Sequence, residues 1–521
     1  MAGIGFTLRK ALGEAERYRR WKLYGAASFV AAGPWLLTLL SLFLILMWGM
    51  AYGMGQGQRD LFFATVTYCM IGSNLISSTA QFFLTRYLAD ALYVDAPQRL
   101  LSAFSGVFAY TGVAAVALFG GFQALLPLPM AYKVWTVLLA VVLTQMGLTM
   151  ILLSAARAYR DIARGFLFGL LVIAVVLFGY TFWLHGQGET PSSTAVLALF
   201  TGAEVLTLIR LGRVVVRDFP GDVPSLYGVK AHHRRYPQLL WIGLFYALTL
   251  WVDNSMRWLS PEHVTVAGSY WLQPSYDLAK FWTFLALIPA FTLFSVHIET
   301  DFYQVFRRFY DAIESGETLA IVRVQEEDLR TATKTALMRM AKLQSVVALI
   351  AWVLAQQVKS RYPDVIDVFQ WTIIGSIPHM LWITAFLLLL YFDARKQAVW
   401  SVIVTVLALL CGVSVAMAFG WSPGSGYLVG CVIALGVTLL QLSRQTDRLL
   451  FYAFHDPNGG RRRKGLPPAV QATKRQQRVG YPVLHPEVAE QLREQAVPWE
   501  PGMKLPPRRE RHGRHKEEQE E

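Results

Sequence analysis

Residues 133–156 read KVWTVLLAVVLTQMGLTMILLSAA. This stretch, Lys133 to Ala156, carries a single charge at its first position and no proline. As a helix rising about 1.5 Å per residue it reaches roughly 36 Å, which exceeds the roughly 30 Å hydrocarbon layer of a bilayer. Apolar residues lie on nearly all sides of that helix, so it belongs in lipid or a very large core. The same pattern recurs on both sides of it. Tyr24–Met50, Leu61–Thr85 and Leu101–Leu126 precede it; Ile162–Leu184, Thr194–Leu211, Tyr236–Leu259 and Trp271–His297 follow. Leu343–Val358, Val368–Phe392, Val399–Phe419 and Tyr427–Leu442 complete the set. The reading is an all-α membrane protein with twelve transmembrane helices.

Composition agrees. The 521 residues are 54% hydrophobic and 16% charged, with mean hydropathy +0.38. Soluble domains carry about 45–50% apolar and about 25% charged residues, so the apolar excess must face lipid. Loop charge then fixes orientation, because cytoplasmic loops hold the Lys and Arg excess. With the N-terminus inside, the even-numbered loops hold Arg86, Arg99, Arg157, Arg160, Arg164, Arg210, Arg213, Arg217, Lys230, Arg234, Arg235, Arg395 and Lys396. The odd-numbered loops hold only Arg59, Lys133, Arg257, Lys359 and Arg361. Both termini are expected in the cytoplasm. The net charge of +13 comes from basic residues that bracket spans, so the expected partner is anionic lipid and not nucleic acid.

The longest turn-rich interruption divides the chain six and six. It predicts an N-terminal lobe over 1–216, a cytoplasmic linker over 217–236 and a C-terminal lobe over 237–455. Ala2 to Leu12 suits a short interfacial helix. Within the second lobe, residues 299–334 predict amphipathic cytoplasmic helices. Phe302, Val305, Phe306, Phe309 and Ile313 recur at helical spacing there, a pattern that suits the membrane surface. Residues 456–521 are rich in proline and charge and predict a disordered cytoplasmic tail. Arg461-Arg462-Arg463-Lys464 sits close enough to the last span to touch anionic lipid.

Enzyme classes are poorly served. No Walker A loop, dinucleotide-binding glycine motif or HExxH is present. Cys69, Cys411 and Cys431 lie inside spans without metal or disulfide spacing, and no cofactor is expected. What remains is a small set of ionisable residues inside spans, where charge is costly and function is the default suspicion. Glu204 lies near the centre of span six. Asp253 lies in span seven, and Asp277 and Lys280 lie three residues apart in span eight. Depth arithmetic puts the last three within about one turn of the same level. Gln273, Asp277 and Lys280 form an i, i+4, i+7 stripe. We expect Lys280 to pair with Asp253 or Asp277 and to line an aqueous cavity between the lobes; the alternative is a purely architectural clamp. His297 and His379 read as structural histidines. Gly33-Pro34, Pro289 and Pro378 should bend their spans.

Several stretches resemble a known family. Met1-Ala2-Gly3-Ile4-Gly5-Phe6 with Leu8-Arg9-Lys10, Gly33-Pro34-Trp35 and Thr85-Arg86-Tyr87-Leu88-Ala89-Asp90-Ala91-Leu92-Tyr93 are similar to PelG proteins. So are Tyr159-Arg160-Asp161, Tyr276-Asp277-Leu278-Ala279, Ile288-Pro289-Ala290, Glu299-Thr300-Asp301-Phe302-Tyr303 and Phe309-Tyr310-Asp311-Ala312. The resemblance runs in order over roughly residues 1–455. It implies the multidrug/oligosaccharidyl-lipid/polysaccharide flippase architecture, with two MATE-like six-helix lobes. It also implies export of a hexosamine-based polymer across the bacterial inner membrane, beside a cytoplasmic glycosyltransferase and other Pel inner-membrane subunits. On this resemblance Arg86 and Asp90 match a family motif at the cytoplasmic mouth. Asp253 and Asp277 match acidic positions. Lys280 and Asn254 depart from the family pattern. Two other readings stand beside export: a cation-coupled drug antiporter of the same superfamily, and a non-transporting scaffold of a polysaccharide synthase.

Overall fold

The computed structural model describes residues 36–93, 98–155, 158–219 and 236–454. It divides into one unit over residues 1–475 and a second over 476–521, the latter wholly outside the described residues. The expectations for Ala2–Leu12, Gly33-Pro34 and the tail at 456–521, together with most of the 217–236 linker, fall on residues outside the description.

Fifteen helices are described. They are α1 (Leu36–Ala51), α2 (Gln56–Tyr93), α3 (Gln98–Ala124), α4 (Met130–Ala155), α5 (Tyr159–Gln187), α6 (Ser193–Asp218) and α7 (Gln238–Trp258). After a hairpin come α8 (Pro274–Leu285), α9 (Ile288–His297), a π-helical turn (Ile298–Phe302), α10 (Tyr303–Glu314) and α11 (Leu319–Gln356). The chain continues as α12 (Pro363–Tyr391), α13 (Arg395–Ala418), α14 (Ser425–Thr446) and α15 (Leu449–Phe454). Among the described residues, eleven segments are long and apolar enough to cross a membrane, and α1 is a shorter apolar helix at the position of span one. α8 and α9 together make span eight.

The helices pack in two sets. α4 touches α2, α3 and α6, and α6 carries α5. In the second set α12 touches α8, α11 and α14, and α14 carries α13, which packs on α7. The sets meet where α7 lies against α2. Gly243 permits that approach: a Cβ there would collide with the backbone carbonyl of Ser78.

Three local features depart from the expectations, and the break at Pro289 agrees with them. α6 runs on to Asp218, so the first residues of the expected linker are helical. Span eight does not begin at Trp271. Val264–Val266 (β1) and Tyr270–Leu272 (β2) pair antiparallel, Thr265 facing Trp271. Ser269 closes the turn onto Val266 at 3.0 Å, and Ala267 and Gly268 both hold positive φ, 50° and 63°. Such a turn matches the twist of its strands and demands φ > 0 at both central positions. Pro289 does break span eight, with α8 ending at Leu285 and α9 starting at Ile288, whereas α12 runs through Pro378 without interruption. Finally, the π-helical turn and α10 spend their shared apolar face on protein. Phe302, Phe306 and Phe309 are fully buried, and Phe302 and Phe306 pack edge-on to Tyr391 at 5.5 and 5.7 Å. An amphipathic pattern shows that one face must be covered, not by what.

Candidate functional site

The C-terminal end of α7 and the N-terminal half of α8 bring together most of the charged residues singled out in the sequence. Lys280 Nζ pairs with Asp253 Oδ2, and both side chains are almost wholly buried. Tyr276 Oη donates to the same oxygen at 2.7 Å. Asp253 Oδ1 has no partner among the described residues. The ammonium lies 3.2 Å from the centre of the Tyr427 ring and 5.0 Å from that of Phe284, so aromatic faces supply the rest of its stabilisation. The pair therefore belongs to the interior of the second helix set, enclosed by α7, α8, α12 and α14. This corrects the expectation of an aqueous lining in this state. The face of α8 carrying Tyr276, Ala279, Lys280 and Thr283 is the buried one, and Thr283 hydrogen-bonds Thr372 of α12 at 2.7 Å.

Asp277 does a different job. Its carboxylate accepts from Asn254 Nδ2 at 2.7 Å, from Trp258 Nε1 at 3.0 Å and from the backbone N–H of Gln273 at 3.1 Å. Gln273 Oε1 in turn accepts from the Tyr276 N–H. Gln273 is thus the N-cap of α8 and not the start of a polar stripe, and Asp277 completes a reciprocal cap while favouring the positive helix end. Asp253 and Asn254, adjacent on α7, hold Lys280 and Asp277 respectively. The two departures from the family pattern sit side by side in one cross-helix arrangement.

From the ion pair a run of rings leads to the seam between the sets. Tyr427 stacks on His379 at 5.8 Å, His379 meets Trp382 at 5.6 Å, and Trp382 stacks on Phe386 at 5.6 Å. Phe386 and Tyr246 then meet Phe82 of α2 at 6.2 and 5.7 Å. His379 is a core histidine, as its sequence context implied.

Near the C-terminal end of α2 the expected Arg86–Asp90 pair forms at 3.2 Å. Sequence reasoning missed its other partners. Arg86 also reaches Asp393 of the α12–α13 turn at 3.5 Å, Arg395 holds Asp393 at 3.2 Å, and both guanidiniums lie over Tyr236, at 4.9 and 4.8 Å. This cluster clamps α2 to the second helix set. The only sequence signal was a lone acid, Asp393, beside Arg395-Lys396.

Glu204 lies apart, on the buried face of α6, which packs chiefly on α4 and α5. No described residue pairs with it. His297, the last residue of α9, contacts Asp301 at 3.0 Å and Arg339 at 2.8 Å, and Arg339 bridges to Asp301 at 2.9 Å. Burial pushes the Asp301 carboxyl up, but Arg339 and His297 outweigh it and hold it below its ordinary value. A groove of about 340 Å³ lies alongside, lined by Phe302, Val305, Arg308, Asp328 and Thr331 among others. No set of three potential metal ligands occurs among the described residues.

Residues 1–454 match the PelG exopolysaccharide exporter (EPS-E) family. The chain belongs to the PelG family. Solved structures place its fold among transporters. An outward-facing multidrug resistance MATE transporter of the MOP superfamily is similar at 13% identity and TM-score 0.57, with 82% of this chain and 96% of that one covered. A MOP superfamily transporter from Pyrococcus furiosus gives 15% identity and TM-score 0.52, covering 81% and 96%. A Vibrio cholerae MATE transporter gives 13% and 0.55, covering 81% and 97%. No curated protein matches at sequence level. This PelG family member is a multi-pass membrane protein with a MATE-like flippase fold, and both its family and its structural relatives are transporters rather than enzymes.

Proposed function

We propose that this chain exports a hexosamine-rich, Pel-like exopolysaccharide across the bacterial inner membrane, with both termini in the cytoplasm and no covalent step of its own. The match to an exopolysaccharide exporter family along residues 1–454 carries the reading. The geometry supports it in two ways. A charged clamp at the inner end, Arg86 with Asp90 and Asp393, can release when the helix sets separate there, as alternating access requires. Asp277, only partly buried at the outer end of α8, offers a carboxylate to a polymer that bears free amines. Asp253, Lys280 and Gln273 set the α7–α8 geometry behind it, and Glu204 is a second buried carboxylate available to the cycle.

The groove between α10 and α11 suits a cytoplasmic glycosyltransferase or another Pel inner-membrane subunit, and the basic loops and tail suit anionic lipid. Deletion of the chain tests the reading. Secreted polymer should vanish while synthase activity in membranes persists. Loss of synthase recruitment instead would assign a scaffold, and undiminished secretion with lost efflux of cationic dyes would assign a drug antiporter.

A further inference from the structure

The hairpin between α7 and α8 belongs by covalent connection to the second helix set, yet its inward-facing residues are seated in the first. Val266 and Tyr270 lie in the same core cluster as Phe62, Cys69, Phe119 and Tyr132 of α2, α3 and α4. Tyr270 is completely buried there, and its hydroxyl accepts from Gln123 Nε2 of α3 at 2.9 Å. Tyr68 of α2 holds the strap from the side. Its ring lies 4.9 Å from Tyr270 and stacks at 4.8 Å on Trp258, the last residue of α7. Its hydroxyl donates to the Trp271 carbonyl at 2.9 Å and faces the Trp271 N–H at 3.3 Å. The opposite face of the hairpin, Thr265 and Trp271, is exposed.

We propose that this hairpin is the outer gate of the passage, with Tyr270 as a plug that must leave the first helix set before the outer end can open. The proposal rests on the export reading above. The mechanics follow from the chain path. The hairpin is anchored at both ends to α7 and α8, through Trp258 and the Gln273–Asp277 cap, so it moves with them. Any separation of the two sets at the outer end draws the ring out of its seat, and no separation leaves the seat intact. Tyr68 fixes the register of the plug because its hydroxyl is bonded to backbone, which side-chain exchange on the hairpin does not alter.

Thiol labelling in cells that carry the whole secretion machinery tests this. The background is Cys69→Ala, Cys411→Ala and Cys431→Ala. Gln123→Cys then places a thiol behind the intact plug, and Thr265→Cys serves as an exposed reference that confirms folding and the outside location of the hairpin. A membrane-impermeant maleimide should spare Gln123→Cys in cells without polymer synthesis. It should label that site at least about tenfold faster during secretion, since reactivity of a buried group follows the open population. Adding Tyr270→Ala should give the fast rate under both conditions. In the double variant Gln123→Cys/Tyr270→Cys, which lacks the plug, a bifunctional methanethiosulfonate that ties the hairpin to α3 should arrest whatever secretion the unbridged variant retains, and reductant should return it to that level.

Equal labelling with and without secretion, or full secretion with the bridge complete, overturns the gate. If deletion of the whole chain leaves secretion intact, the export reading falls instead, so the two failures are distinguishable.

Discussion

Replacing Lys280 with Met removes the cation from a carboxylate that has nowhere else to turn. Lys280 and Asp253 expose 2% and 0% of their side chains, Asp253 Oδ1 has no described partner, and only Tyr276 would remain on Oδ2. Breaking a buried pair on one side costs about 3–5 kcal/mol because the stranded charge is not resolvated. At about 2–4 °C per kcal/mol for a unit the size of the second helix set, the melting temperature in lipid nanodiscs should fall on the order of 10 °C. Lys280→Met with Asp253→Asn leaves no net charge behind, and should recover at least about half of the loss. Secretion then separates the roles. A double variant that melts normally and secretes normally makes the pair an architectural clamp; one that melts normally and fails to secrete gives it a part in transport. A single variant as stable as the parent refutes the reasoning, since it means water already reaches Asp253.

Other outcomes follow from the same geometry. Arg86→Ala should cost about 2 kcal/mol in nanodisc melting, because it removes charge-assisted contacts to Asp90 and Asp393 together with the stack on Tyr236. Arg86→Lys should recover little of it, since an ammonium lacks the planar fork that serves two acids and a ring. Ala267→Gly should stabilise the hairpin by roughly 1 kcal/mol, as Ala267 holds φ 50° and a left-handed residue costs about 1–2 kcal/mol with a Cβ; slower exchange of the Ser269 amide is the check. Gly243→Ala should destabilise the fold by about 1–3 kcal/mol, read as a lower melting temperature in nanodiscs, because the new methyl meets the Ser78 carbonyl. Asp301, with its pKa held down, contributes above the ordinary carboxylate range and loses that contribution as pH falls through its lowered value. Hydrogen-exchange protection factors across 297–303, with the intrinsic pH dependence divided out, should therefore drop at acid pH in the parent and show no such step in Asp301→Asn.

The membrane fold was written plainly in the sequence because long apolar runs have few other destinations in water. Asp253 and Lys280 could be matched in advance since helix rise converts residue number into depth, and two antiparallel spans share a level. Arg86 and Asp90 needed only i, i+4 spacing on one helix. The hairpin was harder. Val264-Thr265-Val266 and Tyr270-Trp271-Leu272 alternate around an Ala-Gly turn, a strand signal, but their apolar residues abut span eight and read as its beginning. The role of Asp277 as a cap depended on where α8 starts, which that reading had moved. Asp393, Arg395 and Tyr236 converge on Arg86 from segments more than a hundred residues away, a placement only tertiary packing decides.

α11 has one further implication. Its 38 residues form a single helix, about 57 Å long at about 1.5 Å per residue. A bilayer core takes up roughly 30 Å of that, leaving about 27 Å of stiff rod projecting beyond it. Arg330 at its flank caps the end of α14 through the Thr446 carbonyl at 3.0 Å. A tilt of about 10° in span nine would sweep the Leu319 tip through roughly 5 Å, given that rise per residue. A fluorophore near Leu319 would therefore report motions of the second helix set that are too small to register at the pivot itself.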